Sequence, residues 1–105
     1  MSNLDEARES LTLTELKDAD GSMRRTVHLL IDDRIVVEGH DLGGTEYEFE
    51  RTLDVEETRR LAELLDVPVR ELLPAIQERF GTTHALETFL EEQGIAGQFW
   101  NRIGD

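Results

Sequence analysis

The chain has 105 residues, a formal net charge of −13 and no cysteine. That length suits one domain around one core, and without cysteines the core must hold itself together, with thiol catalysis and cysteine-ligated zinc ruled out. The acidic balance argues against nucleic acid and anionic membrane as partners, since both reward clustered lysine and arginine; it suits a basic protein drawn in by the field, or plain solubility in a salty cytoplasm.

No stretch approaches the roughly 18 unbroken apolar residues of a membrane span. The opening MSNLDEARES has neither the basic start nor the apolar stretch of a signal peptide. The expectation is a cytoplasmic protein with no cofactor.

Residues 1–9 read as a frayed arm ahead of a single α+β domain spanning 1–105. SLTLTELK (10–17) alternates apolar and polar residues, as a half-buried strand does. DADGS (18–22) is a turn. MRRTVHLLI (23–31) is a second strand, DDR (32–34) turns it, and IVVEGH (35–40) and TEYEFERTL (45–53) are a third and fourth, rich in β-branched and aromatic residues.

The period then changes. Asp54 with Glu57 three residues on reads as a capping box, followed by a stripe of Leu61, Leu64 and Leu65. Pro68 is placed to open the next helix, and Pro74 to break or kink it after Leu73. Leu72, Leu73, Ile76 and Phe80 point inward, and Gly81 ends the element. Thr83 caps a last helix that buries Leu86, Phe89 and Leu90. Gly94 takes the left-handed position after it, and Ile95 folds back on Leu90 in a Schellman motif. The tail GQFWNRIGD holds Phe99, Trp100 and Ile103, enough apolar area to dock. The pattern predicts a four-stranded antiparallel meander, order 1-2-3-4, with three helical segments on one face.

Register is testable by parity, because a slip of one residue turns every side chain to the other face. A two-residue turn at Gly43-Gly44 would set Val37 against Glu50 and Glu38 against Phe49. A three-residue loop over 42–44 pairs Val37 with Phe49 and lays Tyr47 over Gly39. A loop over 32–34 pairs Ile31 with Ile35 and Leu29 with Val37. The first hairpin then pairs Leu13 with Val27, Leu11 with Leu29 and Glu15 with Arg25. One face carries Leu11, Leu13, Val27, Leu29, Ile31, Ile35, Val37, Tyr47, Phe49 and Leu53, and that face meets the helices.

The opposite face gathers Thr12, His28, Glu38 and Glu48 in one row and Thr14, Thr26, His40 and Glu46 in the next. Leu16 lies with Arg24, and Leu30, Val36 and Glu50 lie together further along. Glu38, His40, Glu46, Glu48 and Glu50 form a candidate docking surface for a basic protein. Imidazole and carboxylate also suit zinc, manganese or iron, which makes His28, Glu38, His40 and Glu48 a candidate metal set, although their spacing matches no established motif. A solvated face with local His–Glu pairs explains the same residues without any ligand. DADGS fails as a calcium loop because the glycine follows Asp20 directly. Arg59-Arg60 is too small a basic patch for nucleic acid. Enzyme signatures are missing: no G-x-S-x-G, no phosphate-cradling glycine loop and no H-E-x-x-H. Ser2, Ser10 and Ser22, the chain's three serines, lie in no nucleophile context.

The stretches VVEGHDLG, TEYEFERT and FLEEQGI…FWNRIGD resemble a group of small acidic bacterial cytoplasmic proteins with no assigned activity. The similarity runs from about residue 25 to the end, and it implies a bacterial cytoplasmic protein without implying any site residue. In size and charge the chain is also similar to immunity proteins, which neutralise basic toxin enzymes. The expected function is non-catalytic binding of a macromolecule through the acidic face, with a metal- or ligand-binding protein as the alternative. A monomer, or a homodimer paired through the free edges of strands 1 and 4, is the expected state.

Overall fold

The computed structural model describes residues 7–104. Strands β1 (Ala7–Asp18), β2 (Gly21–Leu30), β3 (Ile35–Leu42) and β4 (Glu46–Leu53) come first, then helices α1 (Val55–Leu65), α2 (Leu72–Arg79) and α3 (Thr83–Glu92), then strand β5 (Gln98–Gly104). The strands form one antiparallel sheet in the order β1-β2-β3-β4-β5. The α+β meander is therefore as the sequence predicts, with two changes. The tail is a fifth strand, so β4 is an inner strand and the edges are β1 and β5. Residues 7–9 belong to β1, and the rest of the expected arm lies outside the described residues.

Alternation assigns the faces correctly in β2, β3 and β4; in β1 beyond the bulge at Thr12/Thr14 it fails, and Glu15, not Leu16, lies with Arg24. Val27, Leu29, Ile35, Val37, Phe49 and Leu53 share one core with Leu61, Ala62, Leu65, Leu72, Leu73, Ile76, Leu86, Leu90 and Ile95, with Leu11, Leu13 and Tyr47 packed on its margin. Burial of this apolar area, at about 25 cal/mol per Å², is the main favourable term in folding. Ile31 is the exception on the sheet. It falls in the β2–β3 loop and is 62% exposed.

The β2–β3 and β3–β4 registers differ by two residues from the predicted ones, a shift to which parity is blind. Val27 pairs with Val37 and Leu29 with Ile35, so that loop is 31–33, with Asp33 left-handed at φ 69°. Gly39 pairs with Phe49 and His40 with Glu48, so the next loop is 43–45. Phe49, not Tyr47, covers Gly39, where a Cβ would sit 2.6 Å from ring Cζ. In the first hairpin Asp18 pairs with Gly21 around a two-residue turn, and a bulge between Thr12 and Thr14 restores the parity, so that Leu11 meets Val27 and Ser10 meets His28. Glu15 consequently faces Arg24. Arg25 instead clamps Asp41 at 2.7 and 3.2 Å and lies over the Phe49 ring.

The helix signals are mostly realised. Asp54 and Glu57 form the full capping box. Gly94 stands at φ 72°, and the amides of Gly94 and Ile95 reach the carbonyls of Glu91 and Leu90, which completes the Schellman pattern. Leu64 is exposed, and Thr58 and Ala62 are buried in its stead. Pro68 leads into a 3-10 turn at Val69–Glu71. Pro74 does not break α2: it sits in the first turn, where its missing N–H has no partner to lose. Thr82, not Thr83, caps α3, its hydroxyl accepting from the Ala85 amide, and Thr83 is buried. Among the described residues no helix is long and apolar enough to cross a membrane.

Candidate functional site: an acidic groove on the outer face

The side chains that alternate away from the helices form rows across the strands. One row is Glu15, Arg24, His40, Glu48 and Arg102; the next is Thr12, Thr26, Glu38, Glu50 and Trp100; a third is Ser10, His28, Val36, Thr52 and Gln98. Between them lies an open groove of about 730 Å³ whose lining includes Glu38, His40, Glu48, Glu50, Arg34 and Trp100. Three carboxylates and an indole thus face one concavity. Trp100, opposite Glu50 on β5, keeps half of its surface exposed. It offers an aromatic face beside carboxylates, an arrangement that attracts cations.

Of the five predicted docking residues, Glu38, His40, Glu48 and Glu50 line this groove and Glu46 does not. Glu46 lies beside it, 3.2 Å from Arg102 and 3.4 Å from His40. Arg102 also reaches Glu48 at 3.0 Å. This cation comes from β5, which the alternation pattern does not predict, so the face is less purely acidic than expected.

The predicted metal set does not assemble. His28 stands opposite Val36, whereas His40 and Glu48 stand opposite each other and Arg24. The two rows are four residues apart along β2, roughly 13 Å at the backbone. His28 and Glu38 pair with each other at 3.2 Å. Glu46 joins His40 and Glu48 instead, with one donor atom of each of the three within 4.8 Å of the others.

His28 is almost fully buried and is held from both sides. Ser10 Oγ lies 2.7 Å from Nδ1 and Glu38 Oε1 lies 3.2 Å from Nε2. The His28 hydrogen bond holds the Glu38 carboxyl below its usual range; burial opposes this, and the charges of His28, Arg24 and His40 assist it. An ionised Glu38 accepts from Nε2, which leaves Nδ1 to share its bond with the Ser10 hydroxyl. The order is the reverse of a hydrolase triad, in which serine faces Nε2. Ser10 stands in an edge strand without the sharp turn that presents a nucleophile, and neither Ser10 nor His28 lines the groove. The chain Ser10–His28–Glu38 is a clasp that fixes one groove carboxylate. Only the register reveals it: shifting β1 by two residues brings Ser10, in place of Thr12, opposite His28.

A smaller cleft opens on the other side of the sheet, between β4, β5 and α3. Arg25, Arg51, Phe49, Phe99, His84 and Glu87 are among its lining residues. Its cations are engaged, Arg51 with Glu87 and the Ala96 carbonyl and Arg25 with Asp41. His84 is exposed and sits at the cleft's rim. No family model, no curated protein and no solved structure matches the chain.

Proposed function

We propose that this protein is a non-catalytic docking module whose outer sheet face receives a basic segment of a partner protein, with an immunity-type inhibitor of a basic enzyme as its simplest instance. One observation carries the reading: Glu38, Glu48 and Glu50 open into the same groove as a half-exposed Trp100. A guanidinium or ammonium group lying on the indole would meet carboxylates on its other sides. Such a contact contributes ~0.5–1 kcal/mol at an exposed site and more when water is excluded. The field of a −13 chain would speed the encounter.

Trp100 is the chain's one tryptophan, so no other indole contributes to the emission, and at low salt, where two acidic copies repel, a change on titration reports on the groove. Titration with an arginine-rich peptide should change that emission saturably. The affinity should fall with added salt and drop at least several-fold in the Glu38→Gln/Glu50→Gln variant. Emission that never responds at low salt, or an affinity untouched by both substitutions, would rule the groove out.

A second reading rests on the donor atoms of His40, Glu46 and Glu48. These suit zinc or manganese, but an ion would compete with Arg102, which already holds one oxygen of each carboxylate. The reading therefore requires Arg102→Ala to tighten metal binding, monitored on the His40 ring resonances. No change in those resonances at stoichiometric metal, in either protein, would dispose of it.

A further inference from the structure

The sheet ends on two unlike edges. β1 carries Arg8, Glu9, Glu15 and Lys17, and its pairing is broken at Ala7/Glu9 and at Thr12/Thr14. Charges and bulges of this kind are how natural sheets discourage edge-to-edge pairing. β5 has no bulge and a single charge. Its pairing with β4 runs unbroken from Gln98 opposite Thr52 to Gly104 opposite Glu46, and its one charge is Arg102. Phe99, Trp100 and Ile103 are 49%, 49% and 69% exposed. Residues 93–104 are also the longest run without Asp or Glu in a chain that has 24 of them.

We propose that β5 is the interface for a second copy of this chain, joined antiparallel about a two-fold axis at Asn101 to give one continuous sheet of ten strands. Parity restricts the choices. Keeping both sets of helices on one side requires each residue to oppose one of its own parity. Centred on Asn101, the pairing sets Phe99 against Ile103 on the helix side and Trp100 against Arg102 on the outer side. Aromatic–aliphatic and cation–aromatic pairs across strands are both favourable. Centring on Trp100 loses both pairs, and centring on Arg102 sets the two arginines against each other. The edge is thus self-complementary in one register. It offers a basic strand no carboxylate, which favours a second copy over the partner of the groove.

The two contacts have opposite salt dependence. Groove binding joins opposite charges and weakens as salt screens them, whereas two acidic copies repel and associate better in salt. Dimerisation could fail with the groove intact, or the reverse, and the two results would be told apart.

Sedimentation across a concentration series should show a dimer whose fraction grows with salt, and Ile103→Lys should abolish it while leaving the circular dichroism unchanged. Asn101→Cys should form an interchain disulfide under mild oxidation, because directly opposed antiparallel residues have Cα atoms ~4.5–5.5 Å apart, within the range a disulfide spans. The chain has no other cysteine to confuse the result, and Glu78→Cys, at an exposed position of α2, is the control. A monomer at every concentration and salt, a dimer that survives Ile103→Lys, or Asn101→Cys crosslinking no faster than Glu78→Cys would each overturn the proposal.

Discussion

Gly39→Ala is the sharpest test of the register that builds the groove. The ring of Phe49 lies on this glycine, and an added Cβ would stand 2.6 Å from Cζ and 2.7 Å from Cδ1, with Cε1 nearer still. A methyl cannot share that space, so the ring must move. Phe49 is buried between the Arg25 guanidinium at 5.2 Å, Phe99 at 5.9 Å and Tyr47 at 6.0 Å, so it has little room. Overpacking of this kind costs ~1–3 kcal/mol. Removing a strand glycine returns ~0.5–1 kcal/mol, which leaves a net loss of about 1 kcal/mol at mid-range and about 2.5 kcal/mol at most. Urea unfolding with a fixed m-value measures it. In a Phe49→Leu background, where Cε1 and Cζ are gone, the cost should shrink or change sign; in a Tyr47→Leu background it should persist. A neutral Gly39→Ala, or relief by Tyr47→Leu in place of Phe49→Leu, would refute the register.

Glu38→Gln tests the clasp through pH. The folded carboxyl titrates below its ordinary value of 4.5, so the stability it contributes is present above that value and lost as pH falls through the folded one. Thermal melts should show the variant less stable near neutrality and the gap closing in acid; a gap independent of pH would contradict the pairing. Asp54→Ala removes the side chain that accepts from the Glu57 amide at 2.8 Å and should cost ~0.5–2 kcal/mol. Glu57→Ala should do more, since Glu57 accepts from the Asp54 amide and also from the Gly97 amide just before β5. Hydrogen exchange should quicken in β5 for Glu57→Ala and not for Asp54→Ala.

Alternation in β2, β3 and β4 made the two faces legible, and caps and left-handed glycines located the helix ends. What stayed hidden has a common physical cause. A shift of two residues preserves parity, so pattern alone could not choose between Tyr47 and Phe49 over Gly39, or between Thr12 and Ser10 beside His28. The choice is made by packing: the Phe49 ring fills the space where Gly39 has no side chain, and Asp33 takes the left-handed turn. β5 was missed because Asn101 and Arg102 interrupt its apolar content. Phe99 and Ile103 still share one parity and Trp100 has the other, and that was the signal for Trp100 as a groove residue. The metal set failed for the register's sake as well, since His28 and His40 are kept apart by the rows they occupy.

The outer face, and Glu38, Glu48, Glu50 and Trp100 in particular, is the proposed site for a basic partner. Amide and indole resonances followed during titration with an arginine-rich peptide at low salt test it directly. Shifts should concentrate at those four residues and their row neighbours, with α1 and α2 silent. Shifts centred on the helices or on the cleft lined by Arg25 and Arg51, or no shifts at all, would contradict it.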